Sequence, residues 1–172
     1  MIGLGLVLNA TLIVADEATT SLDVIVEAKL VDQLKQIRDE FGVSILVITH
    51  NIALVAQIAD RLAVMYAGHI VEMGSVYEVF GNPQHPYTQG LLRSVPTIKL
   101  DKNEELYKMP GEPPNLTYPP AGCRFHPRCP KAMPICSKCT PELLDIGEGH
   151  LVHCWLYQEH PVKIYDKEGV TV

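Results

Sequence analysis

Two acids at the end of an apolar run are the first residues along the chain that could do chemistry. Leu12-Ile-Val-Ala15 leads into Asp16-Glu17, so two carboxylates stand where a buried strand would surface. Ligands of open α/β sheets bind at the carboxyl ends of the strands, because the following loops form a crevice there. An aspartate at that point can hold Mg²⁺, which takes a few hard oxygen ligands and fills the rest with water or phosphate. The adjacent glutamate points to the other side of the chain and could orient or deprotonate an attacking water. Alone, the pair reads equally well as two solvated loop acids. Candidate metal chemistry lies far downstream, where Cys123, Cys129, Cys136, Cys139 and Cys154 all fall between Gly122 and Trp155. Cys136-Ser-Lys-Cys139 is a C-x-x-C, a spacing that suits zinc.

The elements that must position these residues follow from periodicity. Thr11 to Ala15 and Val43 to Thr49 are short apolar runs, the pattern of strands buried on both faces. Between them Asp23 can cap a helix running to Phe41, with Val26, Leu30, Leu34 and Ile37 at helical spacing and Gly42 as its stop. A strand–helix–strand crossover implies parallel pairing and an α/β sheet covered by helices. The pattern continues with a short helix (Asn51 to Ala59), a strand (Arg61 to Tyr66), a turn at Ala67-Gly68 and a strand pairing back (Ile70 to Met73). Ser75 to Phe80 and Tyr87 to Ser94 read as helical turns, and the Pro-, Lys- and Glu-rich stretch from Pro96 to Pro120 as a linker. The cysteine segment has few apolar residues to pack and needs a staple.

Composition bounds the class. The 172 residues are 47% hydrophobic and 20% charged, with net charge −6 and a pI near 5.6. That fits a globular chain with a core and provides no electrostatic footprint for nucleic acid. The apolar opening, Met1 to Ala15, lacks the basic leader and cleavage site of a signal peptide, is too short to span a bilayer, and runs straight into Asp16. The expectation is a cytoplasmic protein with reduced thiols, so the cysteines read as metal ligands or bystanders rather than disulfides.

Order and spacing add a resemblance. Asp16-Glu17, then Ser21-Leu22-Asp23, a helix, a second strand and Thr49-His50 closely resemble the second half of an ABC-type nucleotide-binding domain. The match implies Asp16 as the Mg²⁺ residue of the Walker B end, Glu17 as catalytic base, Asp23 as the D-loop link across a dimer, and His50 as γ-phosphate sensor. A lone histidine after a strand is usually a surface or cap residue; the ordered set is what singles out His50. Ala18 departs from the family's usual proline, which relaxes the loop without removing a reacting group. Asn82-Pro-Gln-His85-Pro86-Tyr87-Thr88, followed by Leu91-Leu92-Arg93-Ser94-Val95-Pro96, resembles the His-Pro-Tyr segment of the ATP-binding subunits of oligopeptide/dipeptide (peptide/nickel) ABC transporters. The cysteine segment resembles their C-terminal extension, whose cysteines are associated with a [4Fe–4S] cluster. By that match Cys123, Cys129, Cys136 and Cys154 are the ligands and Cys139 is extra, with zinc or a set of unligated thiols as the alternatives. His126, His150 and His153 are read as surface residues or as lying behind the ligands.

The resemblance implies a partial ABC-type (P-loop NTPase-like) parallel sheet with helices, plus a loop-rich cysteine-containing extension. It divides the chain into a nucleotide-binding half (1–81), the extension (82–157) and a tail (158–172). The implied function is an Mg-ATP-hydrolysing subunit that energises peptide import. Its partners would be a second such subunit, transmembrane permease subunits and, indirectly, an extracytoplasmic peptide-binding protein, at the cytoplasmic face of the membrane. No G-x-x-x-x-G-K-[ST], Leu-Ser-Gly-Gly or glutamine loop occurs in these residues. Without that phosphate cradle the expectation is a fragment of the parent ATPase that binds MgATP weakly or not at all by itself. The alternative is a non-catalytic iron–sulfur or zinc-binding docking or regulatory module.

Overall fold

The computed structural model describes residues 10–18, 23–95 and 107–159. Residues 1–9 of the apolar opening, 19–22 (including Ser21-Leu22 of the expected D-loop), 96–106 of the expected linker from Pro96 to Pro120, and 160–172 of the expected 158–172 tail lie outside them. The chain divides into two compact units, 1–59 and 60–172, each taken here by itself.

The first unit is strand–helix–strand–helix. β1 (Leu12–Asp16) pairs in parallel with β2 (Ser44–Ile48), Leu12 opposite Ser44 and Asp16 opposite Ile48. The crossover is α1 (Val24–Phe41), which Asp23 caps by accepting the amides of Ile25 and Val26. Gly42 ends it in the left-handed region at φ 64°, where a Cβ would be strained. Its buried stripe centres on Val31 and Leu34; Val26, expected to face the core, is exposed. The strands are not buried on both faces as expected. Alternate residues Leu12, Val14, Leu46 and Ile48 are about half exposed, because among the described residues no element covers that side of the two-stranded sheet. α2 (Ile52–Ile58) follows β2 and is capped by the Asn51 side chain.

The second unit is built on an antiparallel sheet. β3 (Arg61–Tyr66) and β4 (His69–Ser75) form a hairpin whose turn residues Ala67 and Gly68 both have positive φ, the geometry that matches strand twist. β6 (Leu151–Val152) pairs with β4, and β5 (Leu144–Asp145) with β6, in the order β3-β4-β6-β5. The sheet therefore joins strands from both sides of residue 81. α3 (Val76–Gly81) starts in a full capping box between Ser75 and Glu78, and α4 (Pro86–Arg93) starts at His85. Val64, Tyr66, Val71, Val79 and Phe125 form the core, with Tyr87, Leu91 and Met109 against it. Ile135, Cys136 and Trp155 form a smaller cluster. Around them the cysteine segment holds only single-turn 3₁₀ helices besides β5 and β6. No helix among the described residues is long and apolar enough to cross a membrane.

Candidate functional site

The acidic end of β1 and the residue after β2 meet. The Glu17 amide donates to the Ile48 carbonyl at 2.8 Å, continuing the parallel ladder one step past Asp16. That step brings the Glu17 carboxylate to 3.4 Å from Nδ1 of His50, both side chains exposed. Glu17 stands at φ 43°, a left-handed conformation that costs a non-glycine residue on the order of 1–2 kcal/mol. Asp16 ends the strand in solvent. His50 is flanked by local bonds: the Asn51 amide donates to Thr49 Oγ1 at 3.0 Å, and Asn51 Nδ2 to Glu27 Oε1 at 2.9 Å. The loop bearing His50 is thus tied to the first turn of α1. Asp23 serves as the α1 cap, its carboxylate accepting the amides of Ile25 and Val26.

The cysteine segment brings Cys123 and Cys136 together through the backbone. The Cys123 amide donates to the Cys136 carbonyl at 2.8 Å. Gly122, at φ 66°, makes that approach possible, since a Cβ there would lie 2.4 Å from the same carbonyl. Burial pushes the Cys123 and Cys129 thiols up, and each is raised further by neighbouring thiols. Burial, reinforced by Cys123, Cys129 and Cys136, pushes Cys154 up to about 11. Cys139 figures in none of these mutual effects; its carbonyl accepts the Trp155 indole N–H at 2.9 Å. All five cysteines are free thiols. Among the described residues no three His, Cys, Asp or Glu side chains close around a point that one metal ion could fill.

The loop carrying Cys123 and Cys129 is moored to the hairpin. The Arg124 guanidinium donates to the Ala67 carbonyl, and Arg128 to the Pro110 carbonyl at 2.9 Å and the Tyr66 hydroxyl at 3.3 Å. Between them Phe125 is buried in an aromatic group with Tyr66, Tyr87 and His85.

Residues 71–136 match the family model described as the oligopeptide/dipeptide transporter, C-terminal region. The chain is 42% identical to a dipeptide transport ATP-binding protein, DppD, of Caldanaerobacter subterraneus subsp. tengcongensis, over 95% of the chain and 50% of that protein. It is 45% identical to a putative peptide import ATP-binding protein of Brucella ovis, over 92% of the chain and 48% of that protein. It is 43% identical to the oligopeptide transport ATP-binding protein OppD of Bacillus subtilis, over 99% of the chain and 48% of that protein. The chain belongs to the oligopeptide/dipeptide transport ATP-binding family. It carries that family's C-terminal region and spans about half the length of the curated relatives it matches.

Two residues of the second unit escaped the sequence reading. Glu72 is fully buried on β4, where it accepts the amides of Gln84 and His85 and lies 2.8 Å from His150 Nε2. His150, read as a surface residue or one behind the ligands, is a buried partner of that carboxylate. The signal was present: an acid inside Ile70-Val-Glu-Met73 interrupts a run that would otherwise be apolar, and a buried acid needs partners.

Proposed function

We propose that Asp16, Glu17 and His50 form the hydrolytic end of an ATP-binding subunit that energises peptide import. The observation that carries this is the Glu17–His50 approach at the carboxyl end of a parallel strand pair, on a chain whose relatives are named peptide transport ATP-binding proteins. Asp16 would hold Mg²⁺, whose charge stabilises the transferring phosphoryl group. Glu17 accepts a proton from, or orients, the attacking water, and the neutral His50 ring offers one donor and one acceptor to phosphate and carboxylate. Asp23 contributes through the start of α1 to the face shared with a second subunit. The fold reading is a partial P-loop-type sheet in residues 1–81, the family extension in 82–157 and a tail beyond. The family model match begins earlier, at residue 71, and the sheet β3-β4-β6-β5 spans residue 81. The phosphate-binding loop is not among these residues, so the 172 residues alone should bind MgATP weakly or not at all. The complete subunit would sit on permease subunits at the cytoplasmic face of the membrane.

The thiol group supports a [4Fe–4S] cluster on Cys123, Cys129, Cys136 and Cys154. The family resemblance singles out these four and leaves Cys139 extra; among them Cys123, Cys129 and Cys154 are raised by burial. Zinc on the same thiols, held at about 2.3 Å by each sulfur, is the alternative. Such a group stabilises a loop-rich segment by crosslinking it. Burial raises the Cys123, Cys129 and Cys154 thiols, so loading them releases protons and strengthens with rising pH.

The transport reading is tested in cells whose only copy of the complete subunit carries His50→Ala. Uptake of a labelled oligopeptide should fall to background while the subunit is made and membrane-bound at normal levels. Uptake within twofold of wild type would sink the assignment.

A further inference from the structure

The His-Pro-Tyr stretch, which the hydrolytic reading leaves without a task, lies between the parts of the second unit that carry the thiols. On one side it works through hydrogen bonds. The Glu72 carboxylate accepts the Gln84 amide at 2.7 Å and the His85 amide at 2.9 Å, and lies 2.8 Å from His150 Nε2. The Tyr157 hydroxyl lies 3.1 Å from the Gln84 carbonyl and 2.9 Å from its side-chain oxygen. His150 and Tyr157 bracket Cys154, whose neighbour His153 donates its amide to Val71 beside Glu72. On the other side the stretch works through rings. His85 and Tyr87 stand 5.8 and 5.5 Å from Phe125, centroid to centroid, and Phe125 lies midway along the loop from Cys123 to Cys129. His85 itself is held by its own helix cap, Nδ1 accepting the Tyr87 amide at 3.0 Å.

We propose that Gln84, His85 and Tyr87, with Glu72 beneath them, are a platform of positioning residues that sets the distance between the Cys123/Cys129 loop and Cys154. This rests on the reading of the four thiols as one ligand set. Two loops joined only by irregular chain would meet at the low effective concentration of a flexible tether. Moored to one rigid turn and one buried carboxylate, they have fewer relative positions to search before anything is bound. The family's signature segment then acts on the cysteine segment, and does so without touching nucleotide.

The test uses the whole chain, reduced and metal-free, in a thiol–disulfide buffer, with pairing rates read by alkylation and peptide mass spectrometry. His150→Ala should slow pairing of Cys154 with Cys123 or Cys129 roughly tenfold or more, as effective concentration falls. Pairing of Cys123 with Cys129, inside one loop, should keep its rate. His150→Gln, whose amide can donate to Glu72, should restore most of the loss. Tyr157→Phe, which removes one hydroxyl and leaves the fold's packing, should give a smaller loss of the same sign. Unchanged Cys154 pairing in both His150→Ala and Tyr157→Phe overturns the platform, and so does equal slowing of the Cys123–Cys129 pair, the mark of general loosening. A parallel anaerobic reconstitution with ferrous iron and sulfide keeps the two claims apart. If the unaltered chain takes up no iron while the pairing pattern holds, the cluster reading fails and the platform stands.

Discussion

Replacing Glu72 by alanine probes the second unit at its most constrained point. The substitution removes the acceptor of three hydrogen bonds at 2.7–2.9 Å. The Gln84 amide is half-buried and can turn to water. The His85 amide and His150 ring belong to residues 1% and 5% exposed and cannot. Each buried donor left unpaired costs about 1–3 kcal/mol, and the vacated space adds a cavity term. Relief from burying a carboxylate offsets part of this, so the net should approach the about 3–5 kcal/mol seen when one partner of a buried pair is removed. Trp155 is the only tryptophan and bonds to Cys139 within the same unit, so its fluorescence reports urea unfolding there. Glu72→Gln keeps an acceptor oxygen and should lose about half as much. A Glu72→Ala midpoint shift worth less than about 1 kcal/mol would refute the reasoning, because the donors would then have found water or other partners.

Thr88 Oγ1 is buried with no hydrogen-bond partner, so Thr88→Val should be neutral or stabilising by about 1 kcal/mol in the same urea titration. Gly122→Ala sets a Cβ against the Cys136 carbonyl in a left-handed residue and should cost more than about 2 kcal/mol, seen as a lowered melting temperature. Burial drives the His85 pKa from 6.5 down to about 3, so the unfolded chain takes up the proton first and stability falls as pH drops from about 6.5 towards 3. The loss is up to about 1.4 kcal/mol per pH unit. His85→Asn, which can still cap Tyr87, should lack that component, and an unchanged slope contradicts it. Ala18→Pro, the residue usual in the family, disfavours helical backbone in the preceding residue; it should draw Glu17 out of φ 43° and shift the His50 ring resonances in a two-dimensional NMR spectrum.

The elements were legible where local chemistry decides them. Asp23, Asn51 and Gly42 announce their caps, and the strand–helix–strand spacing announces parallel pairing. Burial was less legible, since it depends on what lies across from an element. The alternation of exposed Leu12, Val14, Leu46 and Ile48 with less exposed neighbours needs a covering layer that the described residues do not supply. Of the candidate site, the Glu17–His50 approach follows from the ladder register, which is not a local property. Glu72 with His150 was hidden because its partners lie far along the chain, and only the β4–β6 pairing brings them together.

The central claim is that Glu17 acts on the attacking water. The measurement that meets it most directly is steady-state ATP hydrolysis, alongside nucleotide binding, by the complete subunit carrying Glu17→Gln. Glutamine keeps the shape and the reach to His50 but cannot take a proton, so the turnover rate should fall by about 10²–10⁴ with MgATP still bound at wild-type affinity. Hydrolysis within twofold of wild type, with affinity unchanged, would contradict it.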